Sequence, residues 1–392
     1  MSDTGKNPSA VKVISAILIP LYTGACIYMY YRFMGWTLGA VYESDLPAHI
    51  SLAADDGLIY SLISLIIIAL DKVNLLSLLP VILGLFACLS VLFTSKLIVE
   101  VTDGKCDKCV AEIMALFLNI FMPCYIRGLS DGRYIGMHTA SIWHNSTYLM
   151  MKWMGLWTLL IYLRIEKDIS EKLTTKSFIL FTAVLTLTTA AKPNFFLAAA
   201  PVMLVFLIID LVKKNAPAGR LFLFASSVIP SFLIMLLQNK ALYDVNAGNN
   251  QIIIAPGRAM GMHASNIIAV SILSIAFPLM MLAFHIKDLF KNRYMLFAWM
   301  CAGVGFLQYF LFSEEGARDM DANFSWGYAF TIILIFGISL IQWIGDLKKY
   351  KTLGITSRIY LAVCGAVLLY HTYCGILFFE RIVRGVSYMM WG

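Results

Sequence analysis

Long, uninterrupted apolar runs constrain this chain more than any other feature. Segments of spanning length fall near residues 11–33, 77–95, 110–126, 147–163, 176–191, 195–212, 220–238, 265–286, 294–312, 326–345 and 357–379. A helix rising 1.5 Å per residue needs about 20 predominantly apolar residues to cross ~30 Å of hydrocarbon. Strands of a membrane barrel would alternate apolar and polar residues, and these runs do not alternate. The pattern predicts an all-α, polytopic transmembrane helical protein of about eleven spans. Composition excludes the soluble alternative: 60% of residues are hydrophobic and only 14% charged, against about 25% charged in an ordinary soluble domain. No stretch is long and polar enough to fold separately, so residues 1–392 read as a single integral-membrane domain.

The first run is too long for a signal-peptide core and no small-residue cleavage site follows it, so it reads as a retained span. Six of the eight cysteines, Cys26, Cys88, Cys124, Cys301, Cys364 and Cys374, fall in apolar runs, where a thiol behaves as a small hydrophobe. Cys106 and Cys109 form a lone C-x-x-C. Without a second ligand pair or a βαβ context it reads as a hydrophilic loop rather than a zinc or redox site.

The net charge of +7 reflects membrane orientation, not nucleic-acid binding. A thirteen-residue run at 58–70, between Asp55-Asp56 and Asp71-Lys72, is short for a span and suits an interfacial or re-entrant helix. With that run not crossing and the N-terminus cytoplasmic, 19 basic residues lie inside and 10 outside, Lys152 within a span completing the 30. If the run crossed, the bias would reverse, so the positive-inside rule favours the interfacial reading. The long loops then share the extracytoplasmic side: 34–76 with its interfacial helices, and those near 127–146, 239–264 and 313–325.

Those loops hold the residues capable of chemistry. The first carries Glu43, Asp45 and His49 within seven residues, with Pro47 suited to the first turn of a short helix. A carboxylate at a partly desolvated membrane surface is a reasonable general base; the plainer reading is an N-cap aspartate. The second contains Arg133, His138, Trp143, His144 and Asn145, offering cations or imidazoles for a phosphate, an indole for a sugar face and an amide for hydroxyls. An interfacial aromatic belt would explain the same residues without function. Lys192, followed by Pro193, places a charge at a membrane boundary, a functional candidate by default, with headgroup snorkelling as its rival. Arg258 lies in a Gly- and Asn-rich loop, and His263 stands just before the next span. Further on, Arg318 is a candidate phosphate clamp, and Glu314, Glu315 and Asn323 are candidates for sugar hydroxyls. That acidic cluster could alternatively bind a divalent cation. His285 and His371 read as structural histidines.

A span, an external loop with an acidic residue, interfacial helices and many further spans together resemble the GT-C superfamily of integral-membrane glycosyltransferases. The resemblance rests on Tyr42-Glu43-Ser44-Asp45-Leu46-Pro47-Ala48-His49 after the first span. It implies Asp45 as catalytic base, with Glu43 as second choice. It further implies a polyprenyl-phosphate sugar donor and a cell-envelope or lipid-linked glycan acceptor among membrane lipids. No cofactor is then required, because the lipid phosphate is already a good leaving group. The setting implied is a bacterial cytoplasmic membrane with the active site outside. The sequence lacks an adjacent carboxylate pair before the proline. A transporter or flippase of a lipid-linked sugar or polar solute is the alternative, and an acyl- or phosphotransferase using His49 or His144 is a third reading.

Overall fold

The computed structural model describes residues 10–35, 44–130, 138–243, 251–316 and 318–386. The chain is almost entirely helical. Helix α1 (Ala10–Met34) is followed by α2 (Leu46–Ile50), a π-helical turn (Ser51–Asp55), and α3 (Leu62–Lys72). Then come α4 (Leu79–Val101), α5 (Lys108–Leu118), α6 (Ser146–Asp168), α7 (Thr175–Ala191) and α8 (Asn194–Val212). The remaining elements are α9 (Ala218–Ser226), α10 (Ile229–Tyr243), β1 (Gln251–Ile254), α11 (Arg258–His263), α12 (Ile267–Ser274), α13 (Ala276–Phe284), α14 (Arg293–Leu311), β2 (Phe312–Glu315), α15 (Ser325–Lys348) and α16 (Ile355–Val383). Among the described residues seven helices are long and apolar enough to cross a membrane, α9 and α10 forming one of them; the α12–α13 pair, bent by 69°, makes an eighth if taken as one span.

The difference from eleven runs has identifiable causes. Helix α7 has only 17 residues, about 26 Å at 1.5 Å per residue. Helix α6 is 23 residues long but carries Lys152 and is buried along most of its length, so it sits inside the bundle. The run 110–126 is helical only as far as Leu118. Pro123, which has no N–H to give a helix, lies within the non-helical segment 119–126 that follows.

That segment satisfies its backbone elsewhere, as buried polar groups must. Met122 N–H donates to the His371 carbonyl (3.2 Å), and Cys124 N–H to the Leu273 carbonyl (3.1 Å). His371 Nδ1–H donates to the Met122 carbonyl at 2.7 Å, leaving Nε2 to accept from Phe277 N–H at 3.4 Å. One imidazole thus joins the end of α5 to the break between α12 and α13. A Cβ on Gly375 of α16 would strike the backbone of Ile120 and Phe121, so glycine permits this close approach.

The run at 58–70 becomes α3, capped by Ser61, whose hydroxyl accepts from Ser64 N–H. At 11 residues it is about 16 Å long, and Ile63, Ser64 and Ile67 face the bundle. Its neighbours α1 and α4 pack together, with Ile27 near the end of α1 against Gly84 near the start of α4. The two are therefore antiparallel, and 34–76 begins and finishes at one end of the bundle. The bundle consequently has two chemically separate ends, one holding Asp45 and the other Arg293.

Candidate polar site at the Asp45 end

The site is assembled on the first turn of α6. Asn145 caps this helix: its side-chain oxygen accepts from Tyr148 N–H (2.9 Å) and from the Thr147 hydroxyl (2.7 Å). Those bonds orient the amide so that its NH2 donates to Asp45 Oδ2 at 2.7 Å. Pro47 stands in the first turn of α2, but the Asp45 side chain makes no capping bond to that helix; it turns to Asn145 instead. Two further bonds tie the loops together, Asp45 N–H (3.2 Å) and the Ser44 hydroxyl (2.9 Å) both donating to the His144 carbonyl. The Asp45 side chain remains 33% exposed.

Two histidines flank this carboxylate. His144 Nε2 lies 4.0 Å from Asp45 Oδ2, and the ring is buried. Burial pushes His144 down to about 4, overriding the opposite pull of Asp45. His49 Nδ1 is 2.6 Å from the Ser146 hydroxyl, and burial lowers it likewise to about 4, with Asp45 again opposing. Near neutrality both imidazoles are uncharged, so the His144–Asp45 contact is not an ion pair.

Lys192 supplies the cation. It ends α7, Nζ donates to Thr147 Oγ1 at 3.1 Å, and Nζ sits 4.6 Å from the centre of the Trp326 ring, a cation–π distance. Burial lowers its ammonium to about 8, while the Asp45 charge works to raise it. Trp326 also borders His144 and Tyr148. Its indole N–H donates to Asn323 Oδ1 (3.3 Å), whose amide donates to Glu314 Oε2 (2.8 Å). Arg318 is paired with Asp321 at 3.1 Å, next to the same amide. Asn194, opening α8, donates to the Asn323 carbonyl at 2.7 Å. One polar layer thus joins Asp45, His49, His144, Asn145, Lys192, Glu314 and Arg318.

Other expected residues fall elsewhere. Trp143 does not reach the layer: it is buried, donates to the Tyr22 hydroxyl (3.1 Å), and packs on Phe378 and Phe379. The indole standing in the layer is Trp326. His138 is buried edge-on to Tyr309 and Tyr328, beside a cavity of about 20 Å³ bounded by Trp326, room for about one water. Its φ of +33° is a left-handed conformation for a non-glycine residue, and burial lowers the imidazole to about 3. His263 is buried at the end of α11. Arg258 is engaged by Glu315 (3.0 Å) and Asp319 (3.1 Å), beside the antiparallel pair of β1 and β2 in which Ile252 faces Glu314. Glu43 and Arg133 lie outside the described residues.

Ser146, Thr147, Asn194, Asp321 and Trp326 belong to the layer although motif reasoning did not single them out as site residues. Their signal was adjacency: Ser146-Thr147 directly follows His144-Asn145, and Trp326 opens a helix after a polar loop. Among the described residues no group of three or more His, Cys, Asp or Glu is placed to hold a metal ion. The C-x-x-C loop serves α5, Asp107 Oδ1 accepting from Cys109 and Val110 N–H. No protein-family model and no curated protein matches this chain.

Proposed function

We propose that this chain is a GT-C-type membrane glycosyltransferase, transferring a sugar from a polyprenyl-phosphate donor to a cell-envelope or lipid-linked glycan acceptor. In this reading the chain crosses the bilayer about eleven times, with α6, α7, the α12–α13 pair and α5 with its extended tail added to the longer helices. The N-terminus is cytoplasmic, the Asp45 end faces the extracytoplasmic side, and the membrane is a bacterial cytoplasmic membrane. The observation carrying the proposal is the convergence of Asp45, held by Asn145, and Lys192, held by Thr147, on one helix start.

Asp45 takes the proton of the acceptor hydroxyl as that oxygen bonds to the anomeric carbon. The bond from that carbon to the lipid phosphate breaks, and the phosphate leaves with the electron pair. Lys192 and Arg318 neutralise the charge that grows on the leaving group, and the positive N-terminal end of α6 adds to the same field. Neutral His144 and His49 donate or accept hydrogen bonds without placing a further cation beside Asp45. The chemistry needs no cofactor; a divalent cation is compatible with it but not required.

The test uses purified protein in nanodiscs with a panel of polyprenyl-phosphate sugars, products being identified by mass. Asp45→Asn is expected to abolish transfer while leaving thermal unfolding unchanged; undiminished turnover would remove Asp45 from the mechanism.

The alternative, a transporter or flippase, gains support from the break between α12 and α13 and from the buried non-helical segment after α5. Transporters build their sites from such discontinuous helices. Movement of a lipid-linked sugar across proteoliposomes without covalent change would favour it over transfer.

A further inference from the structure

At the Asp45 end, the polar layer is bounded on one side by the chain leading into α3. Tyr60 belongs to the layer: its ring centre lies 6.1 Å from that of His49. Burial pushes its phenol up, and Arg318 and Asp45 are among the charges that reach it. Of its two neighbours, Ser61 is buried and Ile59 is more than half exposed, so the chain here runs directly between the layer and the outer surface. That outer surface is apolar. Leu65 on α3, Leu187 on α7, and Leu233 and Leu237 on α10 are all exposed, a rim that suits lipid tails better than water.

One side chain ties this wall to the bundle. Gln238 stands on α10 beside the exposed Leu237, and its amide NH2 donates to the carbonyls of Tyr60 (3.1 Å) and Ala190 (2.9 Å). Tyr60 lies ahead of the α3 cap, and Ala190 lies in the last turn of α7, where carbonyls lack helical donors. The two carbonyls belong to different sides of the layer. Tyr60 stands with His49, whereas Ala190 precedes Lys192 by two residues, so the amide works as a latch between them. The latched segment is otherwise lightly held. It has a left-handed residue at each end, Gly57 (φ +66°) and Asn74 (φ +56°), types that enter this conformation at little cost. Between them α3 sets only Ile63, Ser64 and Ile67 into the bundle, and segments with so few buried groups are the first of a fold to open.

We propose that residues 57–74 form a lateral gate, latched by Gln238, through which an amphiphile with a phosphate head and an apolar tail reaches the Asp45 layer from the membrane. The head passes Tyr60 toward Lys192 and Arg318, the cations of the layer, since phosphate pairs well with such groups. The tail stays outside against the leucine rim. Such a gate would serve a layer that transfers a sugar and one that passes a lipid onward equally, so it stands independent of the glycosyl-transfer reading.

The test compares the full-length protein in nanodiscs with Gln238→Leu and with Gln238→Met, the latter closest in length; both lose the amide donor. Hydrogen exchange of the amides at 58–64 should quicken about tenfold in both variants, the rate equivalent of one hydrogen bond, while the interiors of α7 and α10 keep their rates. The nanodiscs are then doped with hexadecyl phosphate carrying a diazirine beside the phosphate, or with hexadecyltrimethylammonium carrying the same group. After photolysis the phosphate probe should label the α2 peptide containing His49, and label it more heavily in both variants; the ammonium probe should not label it. Unchanged exchange at 58–64, quickening spread evenly over the molecule, equal labelling by the two heads, or labelling that does not rise once the latch is removed would each overturn the proposal.

Discussion

At the Arg293 end carboxylates meet cations directly: Asp210 and Glu166 on Arg293, and Glu100 between Arg164 and Lys167. At the Asp45 end the carboxylate is instead held by a neutral amide beside imidazoles that burial keeps uncharged. An ion pair stabilises a carboxylate and weakens it as a base, whereas an amide fixes its position with a smaller effect on its charge. The first arrangement ties helix ends together. The second holds a carboxylate in fixed geometry, the arrangement that the proposed transfer requires of its base.

The sharpest way to break this contrast is to neutralise one charged group at each end, the carboxylate of Asp45 and the guanidinium of Arg293. Asp45→Asn should eliminate transfer, at least a thousandfold in turnover on the scale of lost general-base catalysis, with no shift in thermal unfolding. Arg293→Met should do the reverse. It strands Asp210, only 6% exposed, together with Glu166. A cost of about 3 kcal/mol is expected, the low end for a broken buried pair because Arg293 itself is a third exposed. Turnover per folded molecule should change less than twofold. If Arg293→Met instead removed activity from folded protein, the ends would not be functionally distinct.

A smaller perturbation tests whether Asn145 positions Asp45 or merely caps α6. Serine is as good an N-cap as asparagine but is too short to span from the α6 cap to the Asp45 carboxylate. Asn145→Ser should therefore leave stability within about 0.5 kcal/mol and lower kcat about tenfold, the rate equivalent of one hydrogen bond. Asn145→Ala should lose the cap as well, about 1 kcal/mol. Equal activity of the serine variant and the parent would reduce Asn145 to a cap.

How far these ends could be foreseen depends on which interactions decide them. The apolar runs at 11–33 and 326–345 carry their own signal and appear as α1 and α15. The run 110–126 is equally apolar, yet its second half is not helical, because bonds from His371, some 250 positions away, take over its backbone. Pro123 and Asn119 were visible warnings, but periodicity and hydropathy cannot register a tertiary partner. The same limit applies to the site. Strict alternation of ends along successive runs was enough to group Asp45, His144, Asn145 and Lys192. It could not tell that Trp143 would turn inward to Tyr22 while Trp326 would meet Lys192, since two tryptophans in polar loops look alike before they are packed.

The gentlest probe is pH, where the two kinds of group at the Asp45 end should separate. In the proposed mechanism Lys192 serves the leaving phosphate only while charged, and burial has brought its ammonium down to about 8. Transfer, measured as kcat/KM and so reporting the free enzyme, should fall as pH rises through about 8; Lys192→Arg should move that limb beyond the accessible range. The histidines act on stability at the opposite limit. His144 and His49 titrate near 4 in the folded protein and near 6.5 when unfolded. The unfolded chain therefore binds more protons between those values, and stability falls as pH drops from about 6.5 toward 4. Thermal unfolding from pH 7 to 4.5 should show this decline, and His144→Gln, which cannot take the proton, should flatten it. An alkaline activity limb that survives Lys192→Arg unchanged would detach Lys192 from the phosphate, while an unaltered acid decline in His144→Gln would place the destabilising proton on another buried histidine, such as His49 or His138.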